Sequence, residues 1–259
     1  SAYRHFQTSQ GSLLSFIATY TDSATTPLGW PVDATVSPDG AQLYVAAWTD
    51  DAVSIWTRNQ STGKLTFASS NFIDGPNAIA ISADGAYAYV TGQNNNELQV
   101  FARNALSGQL TWLETHRDGV GGVNGLATAN QLAISPDGQN VYVTSRSDGG
   151  LAVFTRNPTT GRLTFLEFRG VSGGSDTWGV AVSPDGGRVY VTLSAGNALL
   201  VFSRDTTTGR LTLRQTLIDG VGGNDGLADP REVTVSADSA FVYVAARGED
   251  AISVFRVSP

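Results

Sequence analysis

Short runs in which apolar and polar residues alternate recur along the whole chain, separated by Gly, Pro, Asp and Asn. Val180-Ala181-Val182 and Arg188-Val189-Tyr190-Val191-Thr192 are representative. Period-two alternation over four to eight residues, rich in β-branched and aromatic side chains, predicts half-buried strands; no stretch shows the 3.6-residue period of a helix. A turn punctuates the runs five times: Ser37-Pro38-Asp39-Gly40, Ser82-Ala83-Asp84-Gly85, Ser135-Pro136-Asp137-Gly138, Ser183-Pro184-Asp185-Gly186 and Ser236-Ala237-Asp238-Ser239. Pro at the second position and Gly at the fourth suit a type I turn. The leading serines are 45, 53, 48 and 53 residues apart, the spacing of propeller blades.

Each unit keeps its order. An apolar run precedes the turn, and a second run carries Tyr44, Tyr89, Tyr142, Tyr190 or Tyr243. A third ends near Trp56, Phe101, Phe154, Phe202 or Phe255, and a fourth begins Leu65-Thr66, Leu110-Thr111, Leu163-Thr164 or Leu211-Thr212. Four antiparallel strands per unit, A to D from the axis outward, make one blade. The last unit stops after its third run, and an orphan fourth run, Gly11-Ser12-Leu13-Leu14-Ser15-Phe16, stands near the start. The expectation is therefore an all-β, five-bladed propeller closed by a three-plus-one seam. Its blades would lie at about 30–70, 75–115, 128–168, 176–217 and 229–257, the last completed by 11–19.

Composition narrows the function. The 259 residues carry a net charge of −7 and only 15% charged residues, against about 25% in an ordinary domain. That balance argues against nucleic acid and anionic membrane surfaces. No apolar run reaches the roughly 20 residues of a membrane span, so no membrane insertion is expected. Cysteine is absent, and a chain of this length buries a core without disulfides. An acidic, cysteine-free chain fits a secreted or periplasmic protein, and equally a cytosolic one.

Two rims follow from the meander. The A–B and C–D turns share one, where Asp39, Asp84, Asp137, Asp185 and Asp238 recur, with Arg58, Arg103, Arg156 and Arg204. Turn chemistry and Arg–Asp pairing account for these residues, so this rim reads as scaffold. The other rim varies. Residues just past the second run are Trp48, Gln93, Arg146, Ser194 and Arg247. At the entry to the first run stand Asp33, Ala78, Gln131, Gly179 and Glu232, preceded by Val32, Asn77, Asn130, Trp178 and Arg231, with Trp30 ahead. Innermost strands crowd the axis, so these side chains converge either on a pocket for a small polar ligand or on a self-paired plug.

Three chemistries are open. Trp30, Trp48 and Trp178 would stack on a glycan whose hydroxyls bond Asp33, Asn77, Gln131 and Glu232, with Gln93 also at the mouth; this non-catalytic, lectin-like reading is the leading one. Alternatively, Asp33 or Glu232 acts as acid or base beside Arg146, Arg231 or Arg247 on a lactone or glycoside. A third reading is an adhesion scaffold whose rim binds a protein surface. No cofactor is required; the matching loops Asp118-Gly119-Val120-Gly121-Gly122 and Asp219-Gly220-Val221-Gly222-Gly223, with Asp225 and Asp229, offer weak calcium ligands. Of the two histidines, His5 lies near the start and His116 on an outer run, which leaves a Ser-His-Asp triad without a base at the mouth.

The repeat, with units such as Gly179-Val180-Ala181-Val182-Ser183-Pro184-Asp185-Gly186-Gly187-Arg188-Val189-Tyr190-Val191-Thr192, resembles the Tyr-Val-Thr-Asn and lactonase-like β-propeller superfamily along nearly the whole chain. The segment from Pro230-Arg231-Glu232 to Phe255-Arg256-Val257 is similar to the blade of 6-phosphogluconolactonase-like propellers that carries Pro-Arg-His. Arg231 matches that Arg, and Glu232 stands where the His would be. The resemblance implies lactone hydrolysis and commonly seven blades. By count alone, five blades are similar to tachylectin-type lectins and five-bladed glycosidases.

Overall fold

The computed structural model describes residues 15–172 and 175–258 and contains, among them, no α-helix. Nineteen strands form five antiparallel sheets. The first sheet is β1 (Pro31–Val36), β2 (Gln42–Ala47), β3 (Ala52–Arg58) and β4 (Leu65–Phe72). The second is β5 (Pro76–Ile81), β6 (Tyr87–Gly92), β7 (Glu97–Arg103) and β8 (Leu110–Arg117). The third is β9 (Ala129–Ile134), β10 (Asn140–Ser145), β11 (Gly150–Arg156) and β12 (Leu163–Gly170). The fourth is β13 (Thr177–Val182), β14 (Arg188–Leu193), β15 (Ala198–Arg204) and β16 (Leu211–Ile218). The fifth holds three strands, β17 (Pro230–Val235), β18 (Phe241–Ala246) and β19 (Ala251–Arg256). Strand order within each sheet follows the chain, as the up-and-down meander requires.

Each Ser-x-Asp turn is built the same way. Ser37 Oγ donates to Asp39 Oδ1 at 2.5 Å, and that oxygen accepts the Ala41 N–H at 3.0 Å; Gly40 closes the turn at φ +70°, a conformation glycine adopts without a Cβ penalty. The core lies between sheets. Val53, Leu98, Leu151 and Leu199, at one register position of successive third strands, are all buried, as are Tyr44, Tyr89, Tyr142 and Tyr190 of the second strands.

The boundaries between sheets are latched by the repeated arginines. Arg103 donates its Nε–H to the Tyr44 hydroxyl (2.7 Å), one Nη to the Gly85 carbonyl (2.7 Å) and the other to Asp39 (2.8 Å). The Tyr44 hydroxyl in turn donates to the Gly108 carbonyl at 2.8 Å. Arg156 treats Tyr89, Gly138 and Asp84 identically, and Arg204 treats Tyr142, Gly186 and Asp137 identically. These arginine side chains are almost fully buried, so the pairing supplies the partners that a buried charge requires. The repeated rim is scaffold.

The expected seam is not formed among the described residues. Most of 11–16, with His5, lies outside them; residues 15–19 form no strand, and the fifth sheet remains three-stranded. Tyr20 instead lies against the first sheet, where its hydroxyl accepts the Leu65 N–H at 2.7 Å and its ring meets Trp56.

Candidate functional site

Every innermost strand enters through an irregularity. The pairing shifts between Pro31 and Asp33, Pro76 and Ala78, Thr177 and Val180, and Pro230 and Glu232, and β9 is irregular opposite Val143–Ser145. A bulge re-aims the inserted residue, here Val32, Asn77 or Arg231. The residue before each strand has left-handed φ: Trp30 48°, Gly75 58°, Thr128 56°, Asp176 82° and Asp229 49°. Only one of the five is glycine. Such conformations cost about 1–3 kcal/mol each in other residues, so strain is concentrated at this rim.

The result is a cavity of about 320 Å³ lined by Trp30, Val32, Trp48, Asn77, Gln93, Asn130, Arg146 and Trp178. Trp30 and Trp48 meet edge to face at 5.5 Å. Asn77 and Asn130 are hydrogen-bonded amide to amide. The Trp178 ring meets two guanidinium groups: the Arg146 guanidinium carbon lies 4.4 Å from its centroid and that of Arg231 3.8 Å, within range of a cation–π contact.

Two carboxylates that the sequence did not single out as arginine partners hold this stack. Arg146 donates its Nε–H to Asp176 at 2.6 Å. Asp229 accepts from Ser194, from Arg231 and, at 2.7 Å, from Arg247. Burial works against both ionised carboxylates, yet these donors outweigh it and hold each below the ordinary Asp range. The signal was present in the chain as an Asp directly ahead of β13 and β17. Arg231 keeps one buried donor, its Nε–H, without a protein acceptor among the described residues.

Asp33 and Glu232 stand one residue further along their strands, outside the lining. Both Asp33 oxygens are committed, Oδ1 to the Ala34 N–H and Oδ2 to the Ile79 N–H of the next sheet, each at 2.8 Å. Burial raises its pKa against the lowering effect of those bonds. Among the described residues, Glu232 Oε1 accepts only the N–H of the following Val233, at 3.2 Å; burial, followed by the nearby Asp33 charge, raises its pKa. Gln131 is half-buried on β9 without joining the lining, and Arg247 lines a shallow neighbouring depression with Arg231.

The loop carboxylates serve turns first. Asp118 Oδ1 accepts the Leu126 N–H and Asp219 Oδ1 the Leu227 N–H, at 3.1 and 2.9 Å. Asp219, Asp225 and Glu249 do bring oxygens within 4.8 Å of one another, a hard-donor set with the chemistry for a divalent cation. Asp118 is not part of that set, and Asp229 belongs to the arginine network. His116 packs on Phe154 and meets Glu114 at 3.1 Å on an outer strand, far in sequence from the mouth residues.

Comparison with known proteins decides among relatives. The model of the lactonase family of seven-bladed β-propellers matches residues 73–224 and 181–259. The chain belongs to this lactonase family. The periplasmic gluconolactonase of Pseudomonas aeruginosa is 31% identical, with a TM-score of 0.66 over 73% of this chain and 54% of that one. A Bacteroides fragilis protein assigned as a 6-phosphogluconolactonase gives 0.75 over 90% of this chain and 67% of its own, at 18% identity. One from Bacteroides uniformis gives 0.64 over 77% and 60%, at 21% identity. The chain thus spans little more than half to two thirds of these relatives' lengths. No curated protein matched. The lactonase-like resemblance is thereby upheld; the count of five closed blades is not, since the family is seven-bladed.

Proposed function

We propose that this chain carries the substrate mouth of a hydrolase that opens small polyol lactones, acting outside the cytoplasm. The observation that carries this reading is the Arg146–Trp178–Arg231 stack at the cavity wall, with Arg231 at the family's Pro-Arg position. Attack of water on a lactone carbonyl puts negative charge on its oxygen, and a preorganised guanidinium donor stabilises that charge. Arg231 fits because its headgroup is fixed by Asp229 and held against the Trp178 ring that lines the cavity. The indoles and the amides of Asn77 and Gln93 would then receive the ring face and its hydroxyls. The periplasmic gluconolactonase relative supports both the substrate class and the compartment.

The test is hydrolysis of glucono-δ-lactone by the purified chain, corrected for spontaneous opening. Arg231→Gln should lower kcat/KM by about 100-fold, the usual loss on removing one oxyanion donor. Turnover no faster than the buffer blank, or equal turnover in the variant, sinks the reading. The edge-to-face pair of exposed Trp30 and half-buried Trp48 favours one second reading, a carbohydrate-binding mouth without chemistry. Calorimetric titration with the open-chain aldonate and with methyl glycosides separates the two, since only glycoside binding without lactone turnover supports the second.

A further inference from the structure

Residues at the bulges of three successive innermost strands form one hydrogen-bonded row. Asn77 lies between the paired residues Pro76 and Ala78, Asn130 in the irregular stretch of β9, and Trp178 between Thr177 and Val180. Asn77 donates its Nδ2–H to Asn130 Oδ1, and Asn130 donates its Nδ2–H to the Trp178 carbonyl at 3.4 Å. The Thr144 hydroxyl donates to the same carbonyl at 2.7 Å while accepting the Gln131 N–H at 3.0 Å. The row therefore ends on an anchored backbone oxygen, which can only accept.

That end fixes the polarity of the whole row. Asn130 is 2% exposed, and a buried amide keeps its partners. Turned over, it would set its oxygen against the Trp178 carbonyl and its NH2 group against that of Asn77, two mismatched pairs at a buried place. Its NH2 is thus committed to Trp178 and its oxygen to Asn77, and Asn77 spends its own NH2 on that oxygen. What Asn77 has left is Oδ1. This oxygen has no protein partner among the described residues and is not sealed in, so it stands open to the cavity that Asn77 lines. Gln93 lines the same cavity, but among the described residues no side-chain hydrogen bond fixes its amide, and either end can face inward. The other polar side chains of the lining, Arg146 and three tryptophans, carry donors only. The mouth holds one open side-chain acceptor of fixed direction among several donors.

We infer that Asn77 determines specificity in the mouth proposed above for lactones, and this rests on that reading of the site. Its Oδ1 demands a hydroxyl hydrogen from the ligand, and Asn130 is the positioning residue that keeps it an acceptor. The ligand class narrows to rings that bring a hydroxyl to Asn77 and carbonyl or ring oxygens to the donors. A fluorine, an ether or a second carbonyl at that ring position sets lone pairs against lone pairs, and is disfavoured more than a bare CH2. The indole faces alone would admit such isosteres, since an apolar wall discriminates poorly between groups of one size, whereas a group left unpaired in a polar site is rejected.

The test is calorimetric binding of D-glucono-δ-lactam, which has the ring and carbonyl of the lactone but resists hydrolysis, and of its monodeoxy and monodeoxyfluoro derivatives. At one ring position the deoxy compound should bind about three- to tenfold more weakly than the parent ligand. The deoxyfluoro compound, which keeps the size of the hydroxyl without its hydrogen, should bind about threefold more weakly again. In Asn130→Ala the Asn77 amide is free to turn its NH2 to the fluorine, and the gap between deoxy and deoxyfluoro should close or reverse. A loss of folded protein would weaken every ligand alike and leave that ratio unmoved. In Asn77→Ala the parent ligand and its deoxy derivative should bind equally. Deoxyfluoro compounds that bind as well as the deoxy compounds at every position overturn the inference, as does a gap that persists in Asn130→Ala, or binding of none of these ligands. Should a variant fail to fold, the wild-type comparison of deoxy with deoxyfluoro decides by itself. Turnover is read separately: failure to open glucono-δ-lactone sinks the hydrolase reading whatever the lactam ratios, and turnover with flat ratios sinks only the role of Asn77.

Discussion

Arg156 places its Nε 2.6 Å from the hydroxyl of Tyr89, across the boundary between the third sheet and the second. The hydroxyl passes its own proton on to the Gly161 carbonyl at 2.8 Å. Burial raises the Tyr89 pKa to about 12, even against the lowering influence of the guanidinium, so the phenol stays neutral across the physiological range. Tyr89→Phe strips the buried Nε–H and the Gly161 carbonyl of this partner. The expected cost is about 2 kcal/mol, measured as a lower urea midpoint with unchanged m-value.

Gly161 closes the β11–β12 turn at φ +70°, and a Cβ on it would strike the Tyr87 ring. Left-handed backbone and an overpacked contact add. Gly161→Ala should therefore cost about 2–4 kcal/mol, well beyond Gly121→Ala. Gly121 also has positive φ, but nothing lies within 4 Å of its added Cβ. Parallel denaturant curves for the two variants check the difference; equal losses would show that backbone strain alone governs.

The turn aspartates set the acid limb. The Ser37 hydroxyl, ahead of Arg103, holds Asp39 down at about 2, and Asp137 and Asp185 are lowered by the equivalent serines together with other donors. A carboxyl depressed by folding stabilises the native state above its unfolded pKa, near 4, and loses that contribution as pH falls through the folded value. Unfolding should therefore be promoted between about pH 4 and pH 2. Asp33 and Glu232 work in the opposite sense: raised by burial, they favour the native state most below pH 4 and oppose it as pH rises through their folded values. Melting temperature against pH should show a shallower acid limb in Asp39→Asn. In Asp33→Asn the decline above pH 4 should diminish.

Trp178 stacks with two guanidinium groups. Trp178→Ala removes both stacking contacts, each worth about 0.5–2 kcal/mol, and frees Arg146 and Arg231 to reorient. We expect lactone KM to rise by about tenfold or more and kcat to fall with it, whereas Asp33→Asn, outside the lining, leaves KM unchanged. A rise in KM confined to Asp33→Asn would relocate the substrate to the inner-strand face that carries Asp33.

The repeat was legible because its cause is local. Alternation, Ser-x-Asp turns and left-handed glycines act within a few residues, so all five units and the second to fourth strands of the first four could be read in order. The rim residues facing one another could also be foreseen, since equivalent positions on repeated strands must share a mouth. Trp30, Trp48, Asn77, Gln93, Arg146 and Trp178 do line one cavity.

What the chain alone determined is the blade: its strand order, its turns and the rim whose residues differ from unit to unit. Only the tertiary structure decided what crosses from one blade to the next. Arg103 and Asp39 are 64 residues apart in sequence yet 2.8 Å apart in space, and no periodicity announces which aspartate an arginine will grip. The same limit concealed Asp33 as a strut to Ile79 and left ring closure open. Interblade curvature comes from packing across boundaries, and an uncovered Ile252 is visible only once Leu98, Leu151 and Leu199 are seen to be covered.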